Sequence, residues 1–342
     1  MIDPIRLLFS PQVMIPLIYP GLIFSIVVIV VLIWAERKIA GKVQLRYGPL
    51  YVSKHIGGFL QLIADSIRYI FQEPIIPKGV DRDPYLRLPF AYVLTPIATL
   101  LFSLLPITVI PVAPDYVAIP LSYSLPLALA FGSLTPIFVI VMGWASNNKF
   151  TLIGGVREAL MVVSYEVAFF ISGMAMAFYY GTLDLQSMVL AQRTGLLGLV
   201  VNPFAAFVFF VASMMSAGRI PFDISEGEQE IVAGPFTEYS GIMYALVMGS
   251  GYIRRYVSLI LFSILFLGGW YPLPPEWLLD VSPLFGTVSL ILKTLALLLF
   301  CVFLRSVYGR YRLDHAMEIG WRKLIPLSAL SVILSIVLRV VA

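Results

Sequence analysis

The sequence predicts an all-α polytopic membrane protein, and three observations carry that prediction. Of its 342 residues, 60% are hydrophobic and only 12% charged, with a mean hydropathy of +0.93. That balance is not expected of a water-soluble domain of this size. The apolar residues fall into runs that match the roughly 20 helical residues a bilayer requires. Lys and Arg gather on alternate connections between those runs, the bias that marks the cytoplasmic side.

Eight transmembrane helices are predicted, at about 14–35, 89–112, 125–145, 157–179, 197–217, 239–268, 284–305 and 324–341, within a single membrane domain 1–342. The first is too long for a signal-peptide core and runs into Ala35-Glu36-Arg37-Lys38 without a small-residue cleavage site, so it is expected to be retained. Segment 36–88 carries nine cations, and the other connections on its side bring the total to seventeen of twenty-three. The opposite loops hold Asp115, Asp184, Glu276 and Asp280 but only Arg193 as a cation. Both termini are therefore expected on the outer side of a prokaryotic plasma membrane, and the loop 218–238 in the cytoplasm.

Within the cytoplasmic segment 36–88, Phe59, Leu60, Ile63, Ile67, Ile70 and Phe71 recur at helical spacing, with Gln61, Asp65, Ser66 and Arg68 between them. This is an amphipathic interfacial helix, ended by Pro74 and Pro77. It can serve as a surface anchor or as a wall of a cavity that opens to lipid.

Loop 218–238 is the densest acidic stretch of the chain. Asp223, Glu226, Glu228, Glu230 and Glu238 lie within sixteen residues, out of nineteen acidic residues in all. Ser225 followed by Glu228 reads as a capping box that opens a short helix, whose dipole would favour the carboxylates in its first turns. A solvated acidic loop is the plainer alternative.

Ionisable groups inside spans cost several kcal/mol unless paired or hydrated. Glu158 and Glu166 lie eight positions apart on the fourth span and can share a polar seam; Glu158 can also be simply interfacial. Lys293 lies mid-span in the seventh, and Arg254 and Arg255 lie in the sixth. Glu166 and Lys293 read as parts of a hydrated proton path. Cysteine-ligated clusters are excluded from this chain, because Cys301 is its only cysteine; His55 and His315 lie outside the apolar cores, which argues against membrane haem. No phosphate loop, zinc spacing or nucleic-acid signature is present.

Taken together, Glu36-Arg37-Lys38, Gly41, Gln44, Arg46, Gly48-Pro49, Leu60-Gln61 and Ile63-Ala64-Asp65 form a first block of motifs. Gly143-Trp144, Gly154-Gly155, Arg157, Ser164-Tyr165-Glu166, Arg219, Pro221-Phe222-Asp223 and Glu238-Tyr239-Ser240-Gly241 extend it, and Gly268-Gly269-Trp270, Lys293 and Gly320-Trp321 close it. In this order the chain resembles the H-subunit family of respiratory complex I (NADH-quinone oxidoreductase), whose mitochondrial counterpart is NADH–ubiquinone oxidoreductase chain 1; a prokaryotic source is implied, with an archaeal one left open. The resemblance implies a membrane subunit that forms much of a quinone tunnel and couples quinone reduction to proton translocation. It implies that Arg37, Gln44, Arg46, Asp65 and Phe222 lie near the tunnel lining. It further implies that Asp223, Glu226, Glu228, Glu230 and Glu238 join Glu158 and Glu166 in an acidic relay. Quinone would be a bound substrate, with no cofactor in this chain and no redox centre of its own. Iron–sulfur clusters are expected in peripheral-arm partner subunits, and antiporter-like and small membrane subunits beside it in the membrane.

Some positions depart from the family pattern. Leu50-Tyr51 replaces a usual Asn-Arg, Glu158 replaces a small residue, and Ser250-Gly251-Tyr252 replaces Ala-Glu-Tyr, which removes one carboxylate. The Arg157-Glu158 pair resembles membrane-bound hydrogenases and sulfane reductases, which share the subunit without needing quinone. An equivalent anchor in such a complex therefore stays open beside the quinone reading, and a stand-alone secondary transporter stands behind both, since no inverted repeat is visible.

Overall fold

A computed structural model describes residues 11–53, 55–81, 88–114, 116–271 and 284–341; the side chains of Pro11, Asp81, Leu88, Thr194, Glu228 and Leu284 lie outside the described set. Lys54, Arg82 and Arg87 of the cationic side, and Asp115, Glu276 and Asp280 of the opposite side, also lie outside the described residues. The architecture is all-α, and among the described residues there is no strand.

The principal helices are α1 (Leu22–Val43), α2 (Leu60–Phe71), α3 (Leu88–Leu104), α4 (Ser124–Ala145), α5 (Lys149–Tyr180), α6 (Leu185–Thr194), α7 (Pro203–Ser216), α8 (Gly241–Phe266), α9 (Leu284–Val307) and α10 (Ile325–Val341). Among the described residues, six helices are long and apolar enough to cross a membrane, including continuous stretches at Gln12–Val43 and Leu313–Val341. The chain is thus a multi-pass membrane protein. The sequence predicts eight spans, and α7 and α8 account for the difference. The 14 residues of α7 rise only about 21 Å, short of a hydrocarbon core of about 30 Å. The 26 residues of α8 are long enough, but this helix carries Arg254 and Arg255.

Several boundaries differ from the sequence expectation for local reasons. Helix α1 runs on to Val43, so Glu36, Arg37 and Lys38 stand on a helix rather than in a loop. Its end is a tight return in which the Arg46 amide donates to the Gly41 carbonyl at 2.8 Å. Helix α5 starts at Lys149 because the Asn148 side chain accepts from the Phe150 amide, and it ends at Gly181, whose φ of +69° suits glycine. The fifth predicted span is broken at Asn202, which caps α7 by accepting from the Ala205 amide at 2.9 Å and donates to Ser331 and Ser335 of α10 at 2.8 Å. Helix α2 forms as the 3.6-residue periodicity predicts; Leu62 is buried, while Leu60, Ile63, Ile67, Ile70 and Phe71 form an exposed apolar face.

Helix α5 is the central post, packed by α4, α7 and α10, while α8 packs against α3, α7, α9 and α2. The core between them is aromatic. Phe169 lies 4.3 Å from Phe209 between ring centroids, and Phe209 lies 5.7 Å from Phe266. Close approach relies on glycine: a Cβ on Gly154 would lie 2.6 Å from the Pro235 ring and 2.8 Å from Gly234 Cα. That contact seats the acidic loop on α5. Gly154→Val is therefore expected to lift the loop at a cost of about 1–3 kcal/mol, seen as faster protease cleavage within 218–238. Wild-type cleavage kinetics would contradict this seating.

Candidate functional site: a buried charge chain beside a cavity

The acidic loop leaves α7 through Gly218, whose φ is +59°, and turns inward at Pro221-Phe222. Phe222 is buried and stacks on Tyr311 at 5.4 Å, and the Tyr311 amide donates to the Pro221 carbonyl at 2.9 Å. The expected capping box does not form. The short helix spans Glu228–Ile231 with Gly227 at its N-cap and no side-chain cap bond. Two close approaches prevent the cap: Gly227 lies against the Arg310 guanidinium, and Gly234, at φ +56°, lies against the Ser225 carbonyl. Asp223 and Glu226 consequently precede the helix, and Glu238 follows it. The side chain of Glu228 lies outside the described residues.

Buried charges pair across four helices and the acidic loop. Glu36 of α1, 4% exposed, accepts from the Tyr252 hydroxyl at 2.9 Å and from Arg255 at 3.2 Å, both on α8, and from Arg305 on α9. Arg219 stacks over the Tyr252 ring at 4.5 Å and pairs with Glu226 at 3.8 Å. Arg254 pairs with Glu158 at 3.6 Å and lines a small cavity with Glu166. The eight-residue spacing of Glu158 and Glu166 therefore does place both carboxylates towards one partner. At the loop surface Glu230 accepts from Arg157 and lies 3.8 Å from Arg310.

Burial pushes the Glu226 carboxyl up to about 7, assisted by the charge of nearby Asp223 and opposed by Arg219. Glu230 is held below the usual carboxylate range, first by the hydrogen bond from Arg157 and then by the surrounding arginine charges.

A cavity of about 380 Å³ opens beside this chain of charges. Its wall includes Arg37, Gln44, Arg46 and Glu36 from α1 and its end, Ile220, Tyr252, and Arg305 with Ser306. Arg46 donates to Gln44 at 2.7 Å, and Arg37 pairs with Asp65 of α2 at 3.4 Å. Three of the five residues expected near a tunnel thus share one wall. Asp65 adjoins it through Arg37, and Phe222 packs on Tyr311 instead. A cavity that can hold a ring system, with guanidinium groups on its wall and a buried carboxylate behind them, can bind a polar headgroup and respond to its charge. A larger cavity, about 490 Å³, lies at the other end near Asp184. There Asp184 is engaged as the N-cap of α6, accepting from Gln186 and Ser187 amides.

Two expected relay members lie apart from these pairs. Glu238 accepts from Asn148 at 2.5 Å, and its carbonyl accepts from the Tyr92 hydroxyl at 2.6 Å. Lys293 donates to the carbonyl of Leu267, the C-cap of α8, and to those of Gly269 and Tyr271 in the turn that follows it. Sequence reasoning missed Glu36, Tyr252 and Arg305 as site residues and noted Arg255 only as a charge inside a span. The signal was there: two adjacent arginines in an apolar helix require carboxylates, and Glu36 is the one acid in the apolar run of α1.

These features describe a polytopic membrane protein whose interior carries paired acids and arginines next to a headgroup-sized cavity. The family described as NADH dehydrogenase matches residues 17–336 of the chain. Among curated relatives, the H subunit of NADH-quinone oxidoreductase from Geobacillus thermodenitrificans is 34% identical over 307 residues, covering 90% of this chain and 88% of its own. Proteins of the same name from Bartonella tribocorum and Rhodospirillum centenum are each 36% identical, over 92% and 89% of this chain and 91% and 87% of theirs. The chain belongs to the H-subunit family of NADH-quinone oxidoreductase.

Two outcomes follow from the geometry. Glu36→Gln leaves Arg255 buried beside a neutral partner and is expected to cost about 3–5 kcal/mol, measured as a lower unfolding midpoint in detergent; an unchanged midpoint would refute the pairing. The raised Glu226 group binds a proton in the folded protein that the unfolded chain has lost. Its contribution to stability is complete below about pH 4.5 and is lost as pH rises through about 7. The unfolding temperature of the wild type should accordingly fall, relative to Glu226→Gln, between about pH 5 and about pH 8. Parallel pH curves would show that Glu226 titrates as an ordinary carboxylate.

Proposed function

We propose that this chain is the membrane subunit of a complex I-like oxidoreductase, in which it walls the quinone-binding tunnel and couples quinone reduction to proton translocation. The observation that carries this reading is the cavity of about 380 Å³ walled by Arg37, Gln44, Arg46 and Glu36, with Ile220 of the acidic loop in the same wall. The relatives are named as H subunits of NADH-quinone oxidoreductase, which supports quinone as the substrate and other subunits of an oxidoreductase as partners.

Electrons reach the quinone from iron–sulfur clusters in peripheral-arm subunits, since this chain supplies no redox centre. Quinone takes up two electrons and two protons to become quinol. The change in charge at the cavity is felt first by Glu36 with its two arginines, then through Tyr252 and Arg219 by Glu226. Glu226, with a proton affinity near neutrality, is suited to take up or release a proton in response. Asp223, Glu228 and Glu230 adjoin it in the loop, and Glu158 and Glu166 carry the response into the membrane through Arg254. Antiporter-like and small membrane subunits receive it. Glu238 and Lys293 act at the ends of this system. In this reading α7, together with the short helix Gly198–Val201 before it, and α8 also cross, giving eight spans in one domain, with both termini outside the plasma membrane and the acidic loop in the cytoplasm.

The test is quinone reduction by the purified intact assembly from a low-potential donor, with and without a quinone-site inhibitor. Inhibitor-sensitive reduction is expected; hydrogen or sulfide evolution without quinone reduction would move the chain to the hydrogenase-type reading. Arg46→Ala should lower quinone affinity roughly ten- to hundredfold, the worth of one charged hydrogen bond. In the same assembly, Asp223→Asn and Glu228→Gln should impair proton translocation while electrons still enter the peripheral arm. Wild-type translocation in both would remove the acidic loop from the mechanism.

A further inference from the structure

Arg254 and Arg255 are neighbours on α8 and, at about 100° per residue, face different ways. Arg255 turns to Glu36 of α1, and Arg254 to Glu158 of α5. The two pairs differ in kind. Arg255 makes a direct hydrogen bond at 3.2 Å, whereas Arg254 forms an ion pair with Glu158 at 3.6 Å, too long for a hydrogen bond. Its Nε and Nη1 atoms are buried without a hydrogen-bond partner, and so is Thr135 Oγ1. All three belong to residues that line one cavity of about 20 Å³, together with Glu166, Ser216 and Ser258. About 10–15 Å³ suffices for one water molecule when polar partners surround it.

We propose that this cavity binds one internal water and that Arg254, joined through it to Glu166 and directly to Glu158, is the positioning residue that sets how readily those carboxylates exchange a proton. The inference rests on the coupling role proposed above. A guanidinium cannot itself give up a proton at physiological pH, so Arg254 acts as a fixed positive charge. It favours the ionised form of whichever carboxylate it faces, and two carboxylates compete for it. Removal of one therefore strengthens its hold on the other.

Few other charges reach this point. Tyr165 on α5 faces Arg254 with Glu158 and Glu166, and Glu226 faces it from the acidic loop with Arg219 and Asp223 behind. Helices α4 and α7 carry no titratable side chain. Tyr92 of α3 is bonded to the Glu238 carbonyl, Tyr252 and Arg255 are turned to Glu36, and Asp65 of α2 is paired with Arg37. On α9, Lys293 is held by the end of α8, and Arg305 is held by Glu36.

The experiment is a pH titration of the purified intact assembly by infrared difference spectroscopy, following the carboxyl band that Glu166→Gln abolishes. Arg254→Gln should move its midpoint in the alkaline direction by about one pH unit or more, the effect of removing an opposite charge at this range. Glu158→Gln should move it in the acid direction, and Arg254→Lys should return it towards the wild type. A water O–H band sensitive to oxygen-18 water should vanish in Arg254→Gln. If Arg254→Gln does not assemble, the acid shift of Glu158→Gln carries the test alone. Coincident midpoints in Glu158→Gln and wild type would overturn the proposal. Proton translocation is read separately in vesicles. Expected infrared shifts in variants that still translocate protons at the wild-type rate would remove the coupling role and leave the arginine–water link standing.

Discussion

The fold depends on one buried carboxylate. Glu36 lies inside an apolar helix and is held by Arg255 and Tyr252 of α8 and Arg305 of α9. Removal of such a group from water costs several kcal/mol unless partners replace the lost hydration, and the three donors supply that replacement. They also fix α1, α8 and α9 relative to one another. The wall of the cavity is a consequence, because Arg37, Gln44 and Arg46 follow Glu36 on the same helix and its return.

Helix α8 is the electrostatic hub. Its two arginines reach α1 in one direction and α5 in the other, and its Tyr252 ring carries Arg219, which holds Glu226 of the loop. Charges in a low-dielectric interior influence one another over longer distances than surface pairs do. In the coupling proposed above, a change at the cavity passes on as altered proton affinity, without a large movement of any helix. The loop itself is held by packing, through Gly154 against Gly234-Pro235 and through Phe222 against Tyr311.

Much of this is legible in the sequence where physics is periodic. The apolar runs at 125–145 and 284–305 match α4 and α9 closely, and α2 appears where the amphipathic spacing places it. Boundaries fail where a charge reads as an edge of the membrane. Glu36-Arg37-Lys38 reads as loop, although its partners allow α1 to run to Val43, and Arg157-Glu158 conceals an α5 that begins at the Asn148 cap. The break at Asn202-Pro203 is visible as a cap followed by proline at the first helical position. The capping box at Ser225 fails because contacts at Gly227 and Gly234 are tertiary and leave no local signature. For the site, residue types point to the loop carboxylates, but which arginine meets which acid is set by helix rotation, and Glu36 becomes visible only with its partners in place.

Labelling of the intact assembly by a photoreactive quinone, with adducts mapped by mass spectrometry and competed by excess quinone, tests most directly that the cavity beside Glu36 is the quinone site. Competed adducts on residues 33–46, Ile220 or Ser306 are expected. Competed adducts confined to other faces of this chain or to other subunits would contradict the assignment of the cavity to quinone and separate the buried charge chain from the redox reaction.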